Sequence, residues 1–215
     1  MEHNDILERA AEFAKSVHDG EGSGHDWPHI ERVVRMARRL CADEGADPFV
    51  CELAALLHDV ADEKMNPSKE AGLTKVEQWL NGQSIEPSVR SHVMDIIATI
   101  SFGAGPTAPM RTIEGRVVRD ADRLDAIGAI AIARTFVYAG WRGHPIYDPE
   151  LPPRSEMTRE QYRNGQTTAI NHFYEKLLRL KGLLHTDTAR AIAEDRHRFM
   201  ENYLERFHKE WNGEV

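Results

Sequence analysis

Several signals are missing from these 215 residues. There are only two cysteines, Cys41 and Cys51, and they lack the paired spacing of zinc ribbons or redox motifs. Both fall on helical apolar patterns, so they read as reduced core residues of a cytoplasmic protein. No apolar run approaches the ~18 residues that a membrane span requires. The opening stretch, MEHNDILERAAEFAK, is too charged for a secretory signal. Basic blocks are missing as well, and the formal net charge is -8, which argues against a nonspecific grip on nucleic acid polymers. An anionic substrate would have to be met locally, by a metal or a few basic side chains. Alternating strand patterns, internal repeats and low-complexity tracts are also lacking.

The chain is rich in helical periodicity. Apolar residues recur at Ile6, Ala10, Phe13, Ala14 and Val17; at Ile30, Val33, Val34, Ala37 and Leu40; and at Val50, Ala54, Leu57 and Ala61. Asp47 followed by Pro48 reads as a cap and first-turn proline, and Gly45 and Gly82 fall just past helix ends. Further helices are predicted over about 68–81, 87–102, 114–139, 166–181 and 187–211. The apolar content of 41% suffices for a substantial core. The expected fold is all-α, a single domain over 1–215, with helix 114–139 at its centre because no formal charge lies between Asp125 and Arg134. The proline-rich stretch of about 140–165 is the longest irregular region and is expected to act as a lid.

Polar residues interrupt the apolar faces at three places. His58 lies four residues after Ala54 and eight after Val50, inside the buried stripe of its helix, with Asp59 adjacent. His29 leads an apolar face at positions 29, 33, 36 and 40. Asp122 stands four residues after Val118, and Asp125 four after Ala121. Carboxylates are poorly tolerated in a core unless paired or bound to metal. Two histidines and two aspartates aimed inward from three helices make a nitrogen and oxygen donor set for a divalent ion, better suited to manganese, iron, cobalt, nickel or zinc than to calcium. His92, in VRSHVMDIIATISF, reads instead as a structural or surface residue.

The order His, His-Asp, Asp resembles the HD-domain superfamily of metal-dependent phosphohydrolases. GHDWPHIERV, ALLHDVADEK, ISFGAG, DADRLDAIGAIAIARTF and NHFYEKLLRL look like successive motifs of one compact bacterial subgroup, some of whose members are nucleotide pyrophosphohydrolases. The resemblance implies a helical bundle with the metal between its helices and His29, His58, Asp59 and Asp122 as ligands. One divalent ion is expected, Mn2+ ahead of Ni2+, Co2+, Fe2+, Mg2+ or Zn2+. Four protein ligands would leave one or two positions for water or a phosphate oxygen.

The remaining chemistry needs an acid or base and positive charge. Asp62 and Glu63 follow Asp59 by three and four residues; related alarmone hydrolases carry a Glu-Asp pair here, in the opposite order. Asp125 is the competing candidate, as base or as a residue orienting a ligand histidine. Lys64, His25, His172 and Lys176 are candidate phosphate contacts, the last favoured by the resemblance. Arg142, His144, Arg154, Arg159 and Arg163 populate the expected lid, where Trp141 and Tyr147 could stack on a base or pack onto the protein. The expected activity is hydrolysis of a small phosphorylated molecule, foremost a nucleoside triphosphate cut to monophosphate and pyrophosphate. Alternatives are a nucleoside monophosphate phosphatase, an alarmone hydrolase and a noncatalytic nucleotide-binding module. The helix containing RHRFMENYLERFHKEW could pack within the domain or against a second copy as a homodimer.

Overall fold

The computed structural model describes residues 2–18, 26–63, 65–100, 109–155 and 165–215. Among these there are nine α-helices, one 3-10 helix and no strand. They are α1 Glu2–His18, α2 Trp27–Glu44, α3 Pro48–Leu57, α4 Lys69–Asn81, α5 Pro87–Ile100, α6 Ile113–Asp125, α7 Ala129–Arg142, α8 Ala169–Glu175, the 3-10 helix Leu177–Leu183, and α9 Asp187–Trp211. None of the described helices is by itself long and apolar enough to cross a membrane. The chain divides into two compact units, Met1–Asp122 and Arg123–Val215.

In the first unit the apolar run that precedes His58 becomes the hub. The Asp47 carboxylate caps α3 by accepting from the Phe49 and Val50 N–H groups, and Pro48 follows in the first turn. From Phe49 to Val60 every residue except Glu52 is buried, because α3 is packed by α1, α2 and α5. Leu53 and Leu57 are fully enclosed, and burying each such side chain stabilises the fold by roughly 1.5–3 kcal/mol. The buried charge of Arg119 escaped the sequence reading. Arg119 lies with Val117 and Val118 on the buried side of α6, and its guanidinium donates to the Thr99 carbonyl.

Helix α4 approaches the turn after α3 at a glycine. A Cβ on Gly72 would lie 2.5 Å from the Ala61 carbonyl oxygen and 2.8 Å from its carbonyl carbon and Cα. Only the bare backbone of Gly72 fits against that turn.

Two expected helices are corrected. The helix expected over 114–139 is two helices, α6 and α7, separated at Gly128, whose φ is +90°. A Cβ there would also come within 3.1–3.2 Å of the aliphatic stem of Arg196. Backbone conformation and space both require glycine, and neither is visible in hydropathy. Nor is the second half enclosed on several sides: Ile130, Val137 and Trp141 of α7 are 49, 68 and 62% exposed, and only Ala131, Thr135 and Ala139 are buried. The apolar circumference made α7 look central, whereas its buried stripe is one small-residue face.

The helix expected over 166–181 starts at Ala169, capped by the Thr168 hydroxyl, which accepts from the Asn171 N–H at 2.9 Å. It breaks at Lys176, with φ -136° and ψ -60°, and resumes as the 3-10 helix. Fully buried Phe173 stacks with Tyr203 of α9 at 5.9 Å and lies 6.3 Å from Phe136 of α7, so one aromatic cluster joins three helices of the second unit.

Candidate metal centre

Three helices of the first unit bring their polar residues together. Asp26 caps α2 by accepting from the His29 N–H at 3.0 Å, which sets His29 in the first turn, where it is buried. His58 immediately follows α3, and its Nδ1 lies 2.8 Å from the Ala55 carbonyl oxygen. A carbonyl only accepts, so Nδ1 carries the proton and Nε2 presents its lone pair. That Nε2 is buried and makes no hydrogen bond.

Around the two imidazoles stand two carboxylates. Asp59 places one oxygen 3.4 Å from His58 Nε2 and the other 3.5 Å from His29 Nε2. An Asp122 oxygen, at the end of the first unit, lies 3.5 Å from His29 Nε2 and 3.9 Å from His58 Nε2. The imidazole rings meet edge to face at 5.4 Å. Ligand atoms of His29, His58 and Asp59 all fall within 4.8 Å of one another. A lone pair aimed inward without a donor, beside two carboxylates, matches what a divalent cation supplies and what a structural hydrogen-bond network would not leave. The donor set fits a divalent ion, and the nitrogen and oxygen mixture fits a transition metal.

Other expected site residues fall in different places. Asp62 and Glu63 are partly buried on the turn that leaves Asp59. His25 and Lys64 lie outside the described residues, as do Arg159 and Arg163 and residues 101–105 of ISFGAG. His92 is not part of the cluster: its Nε2 lies 2.9 Å from Thr112 Oγ1 and 3.6 Å from a Glu114 carboxylate oxygen, tying α5 to the start of α6.

The second unit holds Asp125, His172 and Lys176. Asp125 is buried and accepts from the Arg134 guanidinium at 2.6 Å. Burial first, then Lys176, push the His172 imidazole down to about 3, against the opposing pull of Glu175. His172 is therefore neutral at physiological pH and offers a hydrogen bond rather than a charge.

Glu175 was not singled out in the sequence, because a single acid among the charges of NHFYEKLLRL carries no signal. It is buried and accepts from the Arg154 backbone N–H at 3.0 Å, the Arg154 guanidinium at 2.8 and 2.7 Å, and the Thr167 hydroxyl at 3.0 Å. Burial raises its carboxyl, but the bonds from Arg154 and Thr167 prevail and hold it below the ordinary carboxylate range. Asn171 Nδ2 donates to the Leu151 carbonyl at 2.9 Å, and the Pro145 and Ile146 carbonyls accept from the Ala169 and Ile170 N–H groups. Residues 145–154 are thus docked on α8, and Tyr147 packs edge-on against Trp211 at 5.0 Å, choosing the packing alternative over an open stacking surface. Trp141 remains 62% exposed.

Comparison with known proteins places the chain in a family. Residues 27–127 match the model of the HD domain family, an interval that holds all four clustered residues. YpgQ of Bacillus subtilis is 38% identical over 209 residues, 96% of this chain and 94% of that protein. A crystal structure of YpgQ in complex with ADP superposes with a TM-score of 0.76, covering 95% of this chain and 97% of that one. A crystal structure described as an HD-superfamily hydrolase, from Bacillus thuringiensis, is 46% identical, with a TM-score of 0.79 and 98% of each chain covered. A Lactobacillus plantarum protein of known structure is 40% identical, with a TM-score of 0.84 over 97% of this chain and 98% of that one.

Proposed function

Because the chain belongs to the HD-domain superfamily of metal-dependent phosphohydrolases, we propose that it hydrolyses nucleoside triphosphates between the α and β phosphates, releasing a nucleoside monophosphate and pyrophosphate. The observation that carries this reading is the buried cluster of imidazoles and carboxylates, with the His58 Nε2 lone pair aimed into it. Support for a nucleotide comes from YpgQ, which has been crystallised with ADP.

His29, His58, Asp59 and Asp122 hold the ion, manganese first among the candidates. A divalent ion in this donor set supplies acidity to a water molecule and neutralises charge on phosphate oxygens. The chain's own groups do the rest. The Ala55 carbonyl fixes the His58 tautomer and ring orientation. Asp62 or Glu63 takes the proton of the attacking water, whose oxygen bonds to the α-phosphorus as the bond to the bridging oxygen breaks and pyrophosphate departs. Asp125, held by Arg134, is the alternative base. His25, Lys64 and Lys176 meet the phosphate tail, and neutral His172 donates or accepts a hydrogen bond there. In this reading residues 1–215 work as one HD-type domain on free cytoplasmic nucleotides.

Phosphorus NMR of a nucleoside triphosphate mixture incubated with the manganese-loaded protein tests the cleavage position. The expected products are pyrophosphate and monophosphate. Orthophosphate with diphosphate would move the cut to the terminal phosphate. An unchanged spectrum would overturn the proposal in favour of a monophosphatase, an alarmone hydrolase or a noncatalytic binding module.

A further inference from the structure

The turn after α3 carries Asp59, Asp62 and Glu63 within five residues, and it belongs to no regular element. Its own backbone bonds include Val60 N–H to the Leu57 carbonyl at 3.2 Å, Asp62 N–H to the Asp59 carbonyl at 3.0 Å, and Met65 N–H to the Asp62 carbonyl at 3.0 Å. A turn outside any regular element is held in part by side chains that bond its backbone. One such side chain comes from its far end. Asn66 Nδ2 donates to the Val60 carbonyl at 2.8 Å and to the Asp62 carbonyl at 2.9 Å.

An amide nitrogen has two hydrogens, and here both are used on one turn. The two accepting carbonyls bracket Ala61. On its other side Ala61 meets Gly72 of α4 backbone to backbone, the approach at which a Cβ would stand 2.5 Å from the Ala61 oxygen. Ala61 is thereby fixed from two directions, by an amide clamp and by a helix. Val60, the residue joined to Asp59, is fully buried. A displaced Val60 carbonyl would rotate the Val60–Ala61 peptide plane and, through the backbone of Val60, shift its neighbour Asp59, whose carboxylate lies beside both imidazoles.

We propose that Asn66 is a positioning residue of the metal site: its amide fixes the backbone from which Asp59, Asp62 and Glu63 project. The turnover part of the proposal rests on the functional reading above, whereas the metal-binding part does not. A mere turn stabiliser would lower the melting temperature and nothing else. A positioning residue also changes the affinity of the cluster for its ion.

The experiment compares Asn66→Ala and Asn66→Asp with Ser68→Ala in the full chain. Asn66→Asp keeps the shape of the side chain but has no donor for the two carbonyls. Ser68 caps α4, accepting from the Ala71 N–H at 3.2 Å, two residues along the chain from Asn66 and with no bond to the turn. Manganese(II) affinity is measured by titration calorimetry, melting temperature by circular dichroism, and kcat and KM with a nucleoside triphosphate. Both Asn66 variants are expected to weaken manganese binding by about tenfold or more and to lower kcat by a similar factor, with KM changed by less than about threefold. Ser68→Ala is expected to lower the melting temperature and leave manganese affinity unchanged. Asn66 variants that melt earlier but bind manganese within about twofold of wild type would overturn the proposal. If the wild-type protein turns over no triphosphate, the functional reading fails by itself, and weakened manganese binding in both variants still supports the positioning role.

Discussion

Asp59→Ala is expected to lower turnover by about 10³-fold and to weaken divalent-metal binding, while far-UV circular dichroism retains the helical signal. Asp59 spans the two imidazoles with separate oxygens, one carboxylate oxygen 3.4 Å from His58 Nε2 and the other 3.5 Å from His29 Nε2. Removing it leaves the two imidazoles and Asp122 as the remaining donors, so the site loses a carboxylate and a ligand together. The fold has little reason to follow. The Asp59 backbone carbonyl still accepts from Asp62, and neighbouring Leu57, Val60 and Ala61 keep the turn buried. The check is metal content by elemental analysis alongside kcat, for wild type and Asp59→Ala purified in parallel. Turnover within about tenfold of wild type would mean that the cluster is not the reaction centre.

Gly72→Ala is expected to destabilise the protein by a net of about 1–2 kcal/mol and to weaken metal binding at a site it never touches. Two effects oppose each other. Alanine in the interior of α4 gains about 1 kcal/mol of helix propensity over glycine. Against that, the new Cβ would sit 2.5 Å from the Ala61 oxygen, and the atoms it meets are backbone, which cannot rotate away as a flexible side chain could. Overpacking of a closed core costs about 1–3 kcal/mol and occasionally more, so the clash wins. Relief requires α4 or the Ala61 turn to move, and Ala61 is two residues from Asp59. Urea denaturation with and without manganese separates the parts. A loss of stability in the apo protein together with a smaller manganese-dependent stabilisation is the expected pattern. A stabilised Gly72→Ala variant would show that the contact between α4 and the turn is looser than the structure has it.

The helical class was legible because periodicity is a local property: α2, α3 and α9 carry their stripes and caps in consecutive residues. The same stripes exposed His29 and His58, since an imidazole in the register of a buried face is visible without coordinates. Asp122 could be found from its spacing to Val118. What resisted reading was non-local. The break at Gly128 depends on the stem of Arg196 packing where a Cβ would be, 68 residues along the chain. Apolar Ile130 and Val137 read as core and are exposed, because composition says nothing about which face of a helix finds a partner. Asn66 sits in a polar, proline-flanked stretch that looks like any loop, and its role depends on the path of the backbone between Val60 and Asp62. Gly72 did leave a trace, as a costly residue inside a helical pattern, but its reason lies in another segment.

Hydrolysis of a nucleoside triphosphate in 18O-labelled water, with the protein first stripped by chelator and then reloaded with manganese, tests the central claim most directly. Mass spectrometry of the products should find the label in the nucleoside monophosphate, as attack at the α-phosphorus requires, and should find product only after reloading. Label in pyrophosphate or orthophosphate, or turnover that survives complete chelation, would contradict it.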